Sequence, residues 1–278
     1  MVLVLMSSIH VREMLLREIK RYIREMTKIR IPLGPWLAFI VTPLMIIASF
    51  YIVYDMFLYV LKNSLPPLTE IPIVRTAAHA SIIASVTLTS LILVSFILIR
   101  NRHVYWSKLF YLAISDLIKE SRKETGAIEK GIMDFVTRID QIPVEILAPY
   151  MIAMPLILIL DVLEFDPLTQ IFCYSIAHID LGYVTYKLYS AIKPELAQDY
   201  DILNNMIKTF LGGETGLEEL SIGVKVKTII ALSIPTLGIA LYYFLKRMID
   251  VYQAHLVIYS NTKEYLLSTL TKLENLSQ

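Results

Sequence analysis

The stretch Trp36–Tyr54, WLAFIVTPLMIIASFYIVY, decides how this chain is read. It carries no charge, and at about 1.5 Å of rise per residue it nearly spans a hydrocarbon core of roughly 30 Å. Pro43, near its centre, deletes one backbone hydrogen bond and predicts a kinked helix. Three other parts of the chain repeat this pattern, so the fold expected is an all-α, polytopic integral membrane helix bundle. About five spans are expected, some of them proline-kinked, with long amphipathic helices outside the bilayer.

Upstream, residues 7–34 form a basic amphipathic helix and its exit. Leu15, Ile19, Tyr22 and Met26 share one face; Arg17, Arg21, Arg24 and Lys28 share another. That basic face suits an anionic membrane surface or a nucleic acid, and equally a solvated helix obeying the positive-inside rule. Pro32, Gly34 and Pro35 end the helix and turn the chain into the membrane.

Downstream, the spacing divides the chain into 35–99, a membrane hairpin; 100–145, an amphipathic helix; and 146–186, a second hairpin. Residues 187–227 follow as an amphipathic helix and a Gly-containing loop, then 228–245 as a fifth span and 246–278 as a closing amphipathic helix. Pro155 and Pro235 sit within apolar segments and predict further kinks. Three apolar stripes recur at alternating spacings of three and four: Phe110 to Phe135, Tyr189 to Phe210, and Ile249 to Leu273. An internal repeat underlies the division. Pro43-Leu44-Met45-Ile46-Ile47 resembles Pro155-Leu156-Ile157-Leu158-Ile159, and Ala78-His79 matches Ala177-His178.

The totals agree with a membrane class. The chain of 278 residues is 56% apolar and 18% charged, with a net charge of +1. Ordinary soluble domains are about 45–50% apolar and about 25% charged. A near-zero net charge excludes a bulk electrostatic claim on nucleic acid. The one cysteine, Cys173, excludes an intrachain disulfide. Five crossings with a cytoplasmic N-terminus place 20 of the 26 Lys and Arg residues inside; four crossings place 19 there. The count leaves the side of the C-terminus open, and a re-entrant last span bent at Pro235 and Gly238 would bring it inside.

Asp55, His79, His178 and Asp180 form the intramembrane polar set. Charged groups among them cost roughly 2.5–3.5 kcal/mol at a bilayer centre, so they should face protein or water. Such residues carry protons or line a conduit; they also fix helix register by hydrogen bonds. No catalytic, cofactor or metal set is expected. There is no G-x-x-x-x-G-K-[ST], H-E-x-x-H or G-x-S-x-G, and His178-x-Asp180 specifies no third metal ligand.

The stretch 235–255, PTLGIALYYFLKRMIDVYQAH, joins a kinked span to a Tyr-rich amphipathic helix. In this layout, and in its wealth of Ile, Leu and Tyr, the chain resembles archaeal multi-pass membrane proteins with repeated span-plus-helix units. Among them it is similar to the CedA-like membrane subunits of the crenarchaeal DNA-import system. The likeness rests on size and layout and transfers no functional residue. It implies a non-enzymatic subunit in the plasma membrane, a channel or scaffold for DNA translocation beside a separate motor ATPase. Partners would be the lipid bilayer, other membrane subunits or further copies of the chain, and nucleic acid. The alternative is a small secondary transporter or proton-coupled permease using intramembrane Asp and His.

Overall fold

The computed structural model describes residues 9–28, 40–61, 72–119, 125–163, 167–212, 217–223, 225–233 and 239–277. All regular structure among them is helical: α1 (Ile9–Lys28), α2 (Thr42–Leu61), α3 (Pro72–Lys119), α4 (Gly126–Arg138), α5 (Ala148–Val162), α6 (Pro167–Leu211), α7 (Val226–Ser233) and α8 (Ile239–Ser277). A 3-10 turn at Val144–Leu147 leads into α5.

Three helices dominate: α3 with 48 residues, α6 with 45 and α8 with 39. At about 1.5 Å per residue they run roughly 72, 67 and 58 Å. Each starts apolar and continues amphipathic without a break. The boundaries expected at 99/100, 186/187 and 245/246 therefore fall inside continuous helices, because no Gly or Pro stands at any of them. Among the described residues, one helix, over Thr76–Asp116, is long and apolar enough to cross a membrane by length and composition.

The prolines act differently from one another. Pro155 is inside α5, and Pro194 is inside α6. Pro43 stands instead in the first turn of α2, directly after a π-type turn at Ile40 and Val41, where its missing N–H is least felt. Pro235 lies outside the described residues, as does most of the glycine loop near 213–216.

Two hydrophobic clusters sit end to end. The first joins α2, the first half of α3, α5, α6, α7 and the start of α8, with Phe96, Tyr150, Leu188 and Tyr242 among its buried members. The second joins α1, the later half of α3, α4, the end of α6 and the later part of α8. The three apolar stripes run through both clusters: Ile192, Leu196, Ile249 and Leu256 are buried in the first, and Ile114, Phe135, Leu203 and Leu266 in the second. The stripes thus pack on one another. The apolar face of α1 joins them, with Ile19, Tyr22 and Met26 buried and Tyr22 stacked on Trp106 at 4.8 Å between ring centroids. That face is covered by α3 and α8 and does not open on a membrane surface.

The repeat reappears in what is buried. Ala78 and Ala177, Ile82 and Leu181, Leu93 and Ile192, Phe96 and Glu195, and Arg100 and Asp199 are pairs at one constant offset along the chain. Both members of each pair are buried. A shared side-chain period over some twenty residues is what two copies of one helix in equivalent settings would show.

The last apolar segment does not run straight through. Gly182 of α6 lies beside Ile230 of α7. Residues 219–223 and Lys225, just before α7, lie beside Tyr189, Lys193 and Leu196. Farther on, Phe244 of α8 packs on Tyr189, and Tyr252 reaches Glu195. Along α6, therefore, α7 runs one way and α8 returns the other. The expected single span over 228–245 is two antiparallel helices whose far ends face the same side.

A buried polar layer as candidate functional site

Where the two hydrophobic clusters meet, α3, α6 and α8 each turn polar side chains inward. Arg100, His103, Ser107 and Tyr111 on α3 are spaced three, four and four residues apart. Tyr252, His255, Tyr259 and Lys263 on α8 follow the same spacing, and Glu195 and Asp199 on α6 are one turn apart. These spacings put each set on one helix face. All ten residues are buried.

Two ion pairs organise the layer. Arg100 Nε donates to Glu195 Oε2 at 2.9 Å, and both side chains are within 1% of complete burial. The Tyr252 hydroxyl donates to the other oxygen, Oε1, at 2.7 Å. Arg100 Nη1 also donates to the Asp140 carbonyl at 2.9 Å. Its neighbour Asn101 pairs with both backbone groups of Ile142, at 2.9 Å to the N–H and 2.7 Å to the carbonyl. The segment between α4 and α5 is therefore tied to α3 through polar groups that burial would otherwise orphan.

One turn farther along, Lys263 Nζ donates to Asp199 Oδ2 at 2.8 Å and to Ser107 Oγ at 3.1 Å. The Tyr111 hydroxyl donates to Asp199 Oδ1. His255 Nε2 lies 3.2 Å from Asp199 Oδ2, off the line of a good hydrogen bond. The His103 and His255 rings meet edge to face at 5.4 Å between centroids, and Ser107 Oγ is 3.2 Å from His103 Nε2. Burial alone would raise the Asp199 carboxyl. Lys263 and the two histidines outweigh it and hold the group well below the usual carboxylate range. Burial first, and then the Glu195 carboxylate, push the Tyr252 phenol well above its ordinary value, so it stays a donor.

The residues singled out in the sequence lie elsewhere. His79 and His178 occupy equivalent positions one after the buried Ala78 and Ala177, and both are half-buried. Asp180, also half-buried, is within hydrogen-bonding reach of the Tyr150 backbone on α5. It borders a cavity of about 610 Å³ that also involves Arg138, Asp140, Lys187 and Pro194. Asp55 lies on α2, its side chain outside the described part of the structure. Arg17, Arg21, Arg24 and Lys28 are all exposed, as the helical spacing predicts; Arg24 reaches Glu264 of α8 at 2.6 Å and Arg21 pairs with Glu25. The polar layer itself escaped the sequence reading because its members are interleaved with the apolar stripes. The available signal was the matched three-four-four spacing of Arg100 to Tyr111 and of Tyr252 to Lys263, with complementary charges on 195 and 199.

Comparison with protein-family models, with curated proteins and with solved structures finds no match for this chain.

Proposed function

We propose that the chain is a non-enzymatic multi-pass membrane subunit whose long helices carry a polar head on the cytoplasmic side. The observation that carries this reading is a reversal of polarity along single helices. The outward face of α6 presents Phe172, Ile176, Ile179 and Tyr183, and then changes to Lys187, Lys193, Asp201 and Lys208. On α3 it presents Ile83, Leu91 and Leu98, and then Arg102. α2 and α5 add Phe50, Phe57, Ile152 and Ile159 to the apolar side. Behind this belt Ser81, Ser85, Thr89, Ser90 and Thr185 are buried between helices, among larger apolar groups such as Ile82, Leu93 and Leu181. Large apolar groups outside and small polar groups between helices is the arrangement that lipid favours and water opposes. The backbone in this half is helical throughout the described residues, which hydrocarbon also requires.

On this reading α2, α3, α5 and α6 cross the bilayer, α7 and the start of α8 form a re-entrant hairpin, and both chain ends are cytoplasmic. Single cysteines in a Cys173→Ser background test it. Positions in 62–71 should be labelled by an impermeant maleimide applied to intact cells, whereas positions in 100–140 and at 278 should be labelled only after lysis. Outside labelling within 100–140 would overturn the orientation. Outside labelling at 278 alone would overturn the re-entrant hairpin.

DNA translocation beside a motor ATPase is the role that the resemblance suggests. It is supported by the outward row Arg17, Arg21, Arg24 and Lys28, which stands at the head end of α1. Charge reversal of all four should then weaken DNA binding by the purified chain and flatten its salt dependence. A second reading, a proton-coupled permease, is favoured by the Asp180 carboxyl at the 610 Å³ cavity. It requires proton flux in proteoliposomes that Asp180→Asn removes.

A further inference from the structure

We propose that His103, Asp199 and His255 form a binding site for one divalent transition-metal ion, of the Zn²⁺, Co²⁺ or Fe²⁺ class, at the junction of α3, α6 and α8. The inference is independent of the membrane reading, since it rests on three side chains within the packed core. Each residue offers one ligand atom, and these atoms lie within 4.8 Å of one another. All three side chains are buried.

The nitrogens point to a ligand. His103 Nδ1 and both ring nitrogens of His255 are buried and make no hydrogen bond. Leaving a buried polar atom unpaired is costly, and natural cores hold few such atoms. A shared electrophile would take up His103 Nδ1 and one ring nitrogen of His255, since each imidazole offers an ion one ligand atom. A neutral imidazole directs one lone pair along a ring nitrogen, which suits a borderline-soft cation. Two imidazoles with one carboxylate are a known donor set for such ions, and they select against Mg²⁺ and Ca²⁺, which prefer oxygen. Ligand atoms around a tetrahedral ion with bonds of about 2.0–2.1 Å stand roughly 3.3 Å apart, so the three draw in by about 1.5 Å at most.

Lys263 sets the affinity. Its ammonium sits 2.8 Å from Asp199 Oδ2 and already supplies positive charge to the carboxylate. Asp199 has about four lone-pair sites, of which Tyr111 and Lys263 take two, so a position remains for the ion. The ion and the ammonium repel each other across a desolvated gap, which makes Lys263 a competitor and not a ligand.

The test uses the full-length chain, purified in detergent, stripped with chelator and titrated with Co²⁺. The expected result is one equivalent bound, with visible d–d absorption, and one equivalent of Zn²⁺ retained through gel filtration by elemental analysis. His103→Asn and His255→Gln should each remove the absorption while circular dichroism keeps its helical signal. Lys263→Met should tighten Co²⁺ binding at least about ten-fold, since a like charge is removed at close range. Absence of the Co²⁺ spectrum in the wild-type chain overturns the proposal. So does a bound equivalent that survives in the double variant His103→Asn, His255→Gln, because the ion would then sit elsewhere on the protein. Tighter binding in Lys263→Gln would replace the Lys263→Met result if that variant fails to fold.

Discussion

Replacing Glu195 with Leu should be among the most damaging single changes in the protein, and replacing Arg100 with Met as well should undo most of the damage. Arg100 and Glu195 are buried together, with a 2.9 Å contact between them. Without Glu195 the guanidinium keeps only the Asp140 carbonyl at 2.9 Å and a long 3.5 Å approach to Asn101 Oδ1. An unpaired charge left behind in this way costs about 3–5 kcal/mol. The Tyr252 hydroxyl also loses its acceptor, and the residual penalty for that group is about 1–3 kcal/mol. For a chain of this size each kcal/mol shifts Tm by about 2–4 °C, so Glu195→Leu should lower it by roughly 10–30 °C. Arg100→Met with Glu195→Leu removes both charges at similar volume and should return to within about 2 kcal/mol of the parent. Thermal unfolding of detergent-solubilised protein, followed by near-ultraviolet circular dichroism, reads these shifts. A Glu195→Leu variant within 2 °C of the parent would refute the argument. A double variant no better than the single one would show that hydrogen-bond geometry, and not charge balance, holds the layer together.

Gly212 ends α6 at φ 65°, so Gly212→Ala should cost about 1–2 kcal/mol and lower Tm by a few degrees; an unchanged midpoint would mean the end of α6 is relaxed in solution. At Gly182, a Cβ would meet Ile230 at an ordinary 3.6 Å, so Gly182→Ala should be silent, whereas Gly182→Leu should push α7 off α6 and raise the protease sensitivity of the 212–226 segment. Asp180→Ala should weaken the α5–α6 contact at the Tyr150 backbone and reduce folded, extractable protein, as about 1–3 kcal/mol of lost hydrogen bonding predicts. His178→Ala should leave extraction intact and reduce activity; the reverse pattern for the two would exchange their roles.

Much of the architecture was written in periodicity. The apolar stripes at Phe110 to Phe135, Tyr189 to Phe210 and Ile249 to Leu273 are amphipathic at helical spacing, and their members are buried in the two clusters, Ile192, Leu196, Ile249 and Leu256 in the first and Ile114, Phe135, Leu203 and Leu266 in the second. The repeat was visible through Ala78-His79 and Ala177-His178, which share the offset of the buried pairs, whereas Pro43 and Pro155 stand differently, one in the first turn of α2 and one inside α5. What periodicity could not supply was continuity. Hydropathy falls at Arg100 and Lys187, and a window average treats that fall as the end of a helix. The backbone hydrogen bonds do not stop there, since nothing in the local sequence breaks them. The fate of 228–245 was also invisible, since a reversal and a straight span share one hydropathy profile. The polar layer was missed for a third reason. A charged residue inside an apolar stripe is read as an interruption until its partner on another helix is known, and Glu195 and Arg100 are 95 residues apart.

The unbroken course of α3 through the polar layer has a mechanical meaning. Arg100 acts as a fulcrum, with about 29 Å of stiff helix beyond it and about 42 Å before it. A tilt of about 5° on the apolar side swings the distal end near Lys119 by roughly 2.5 Å in the opposite sense, with no hinge to absorb the motion. α3 and α8 pass the charged waist as continuous rods, whereas α6 carries Pro194 there, so a displacement imposed on one end of the molecule arrives at the other as a change in angle of the first two.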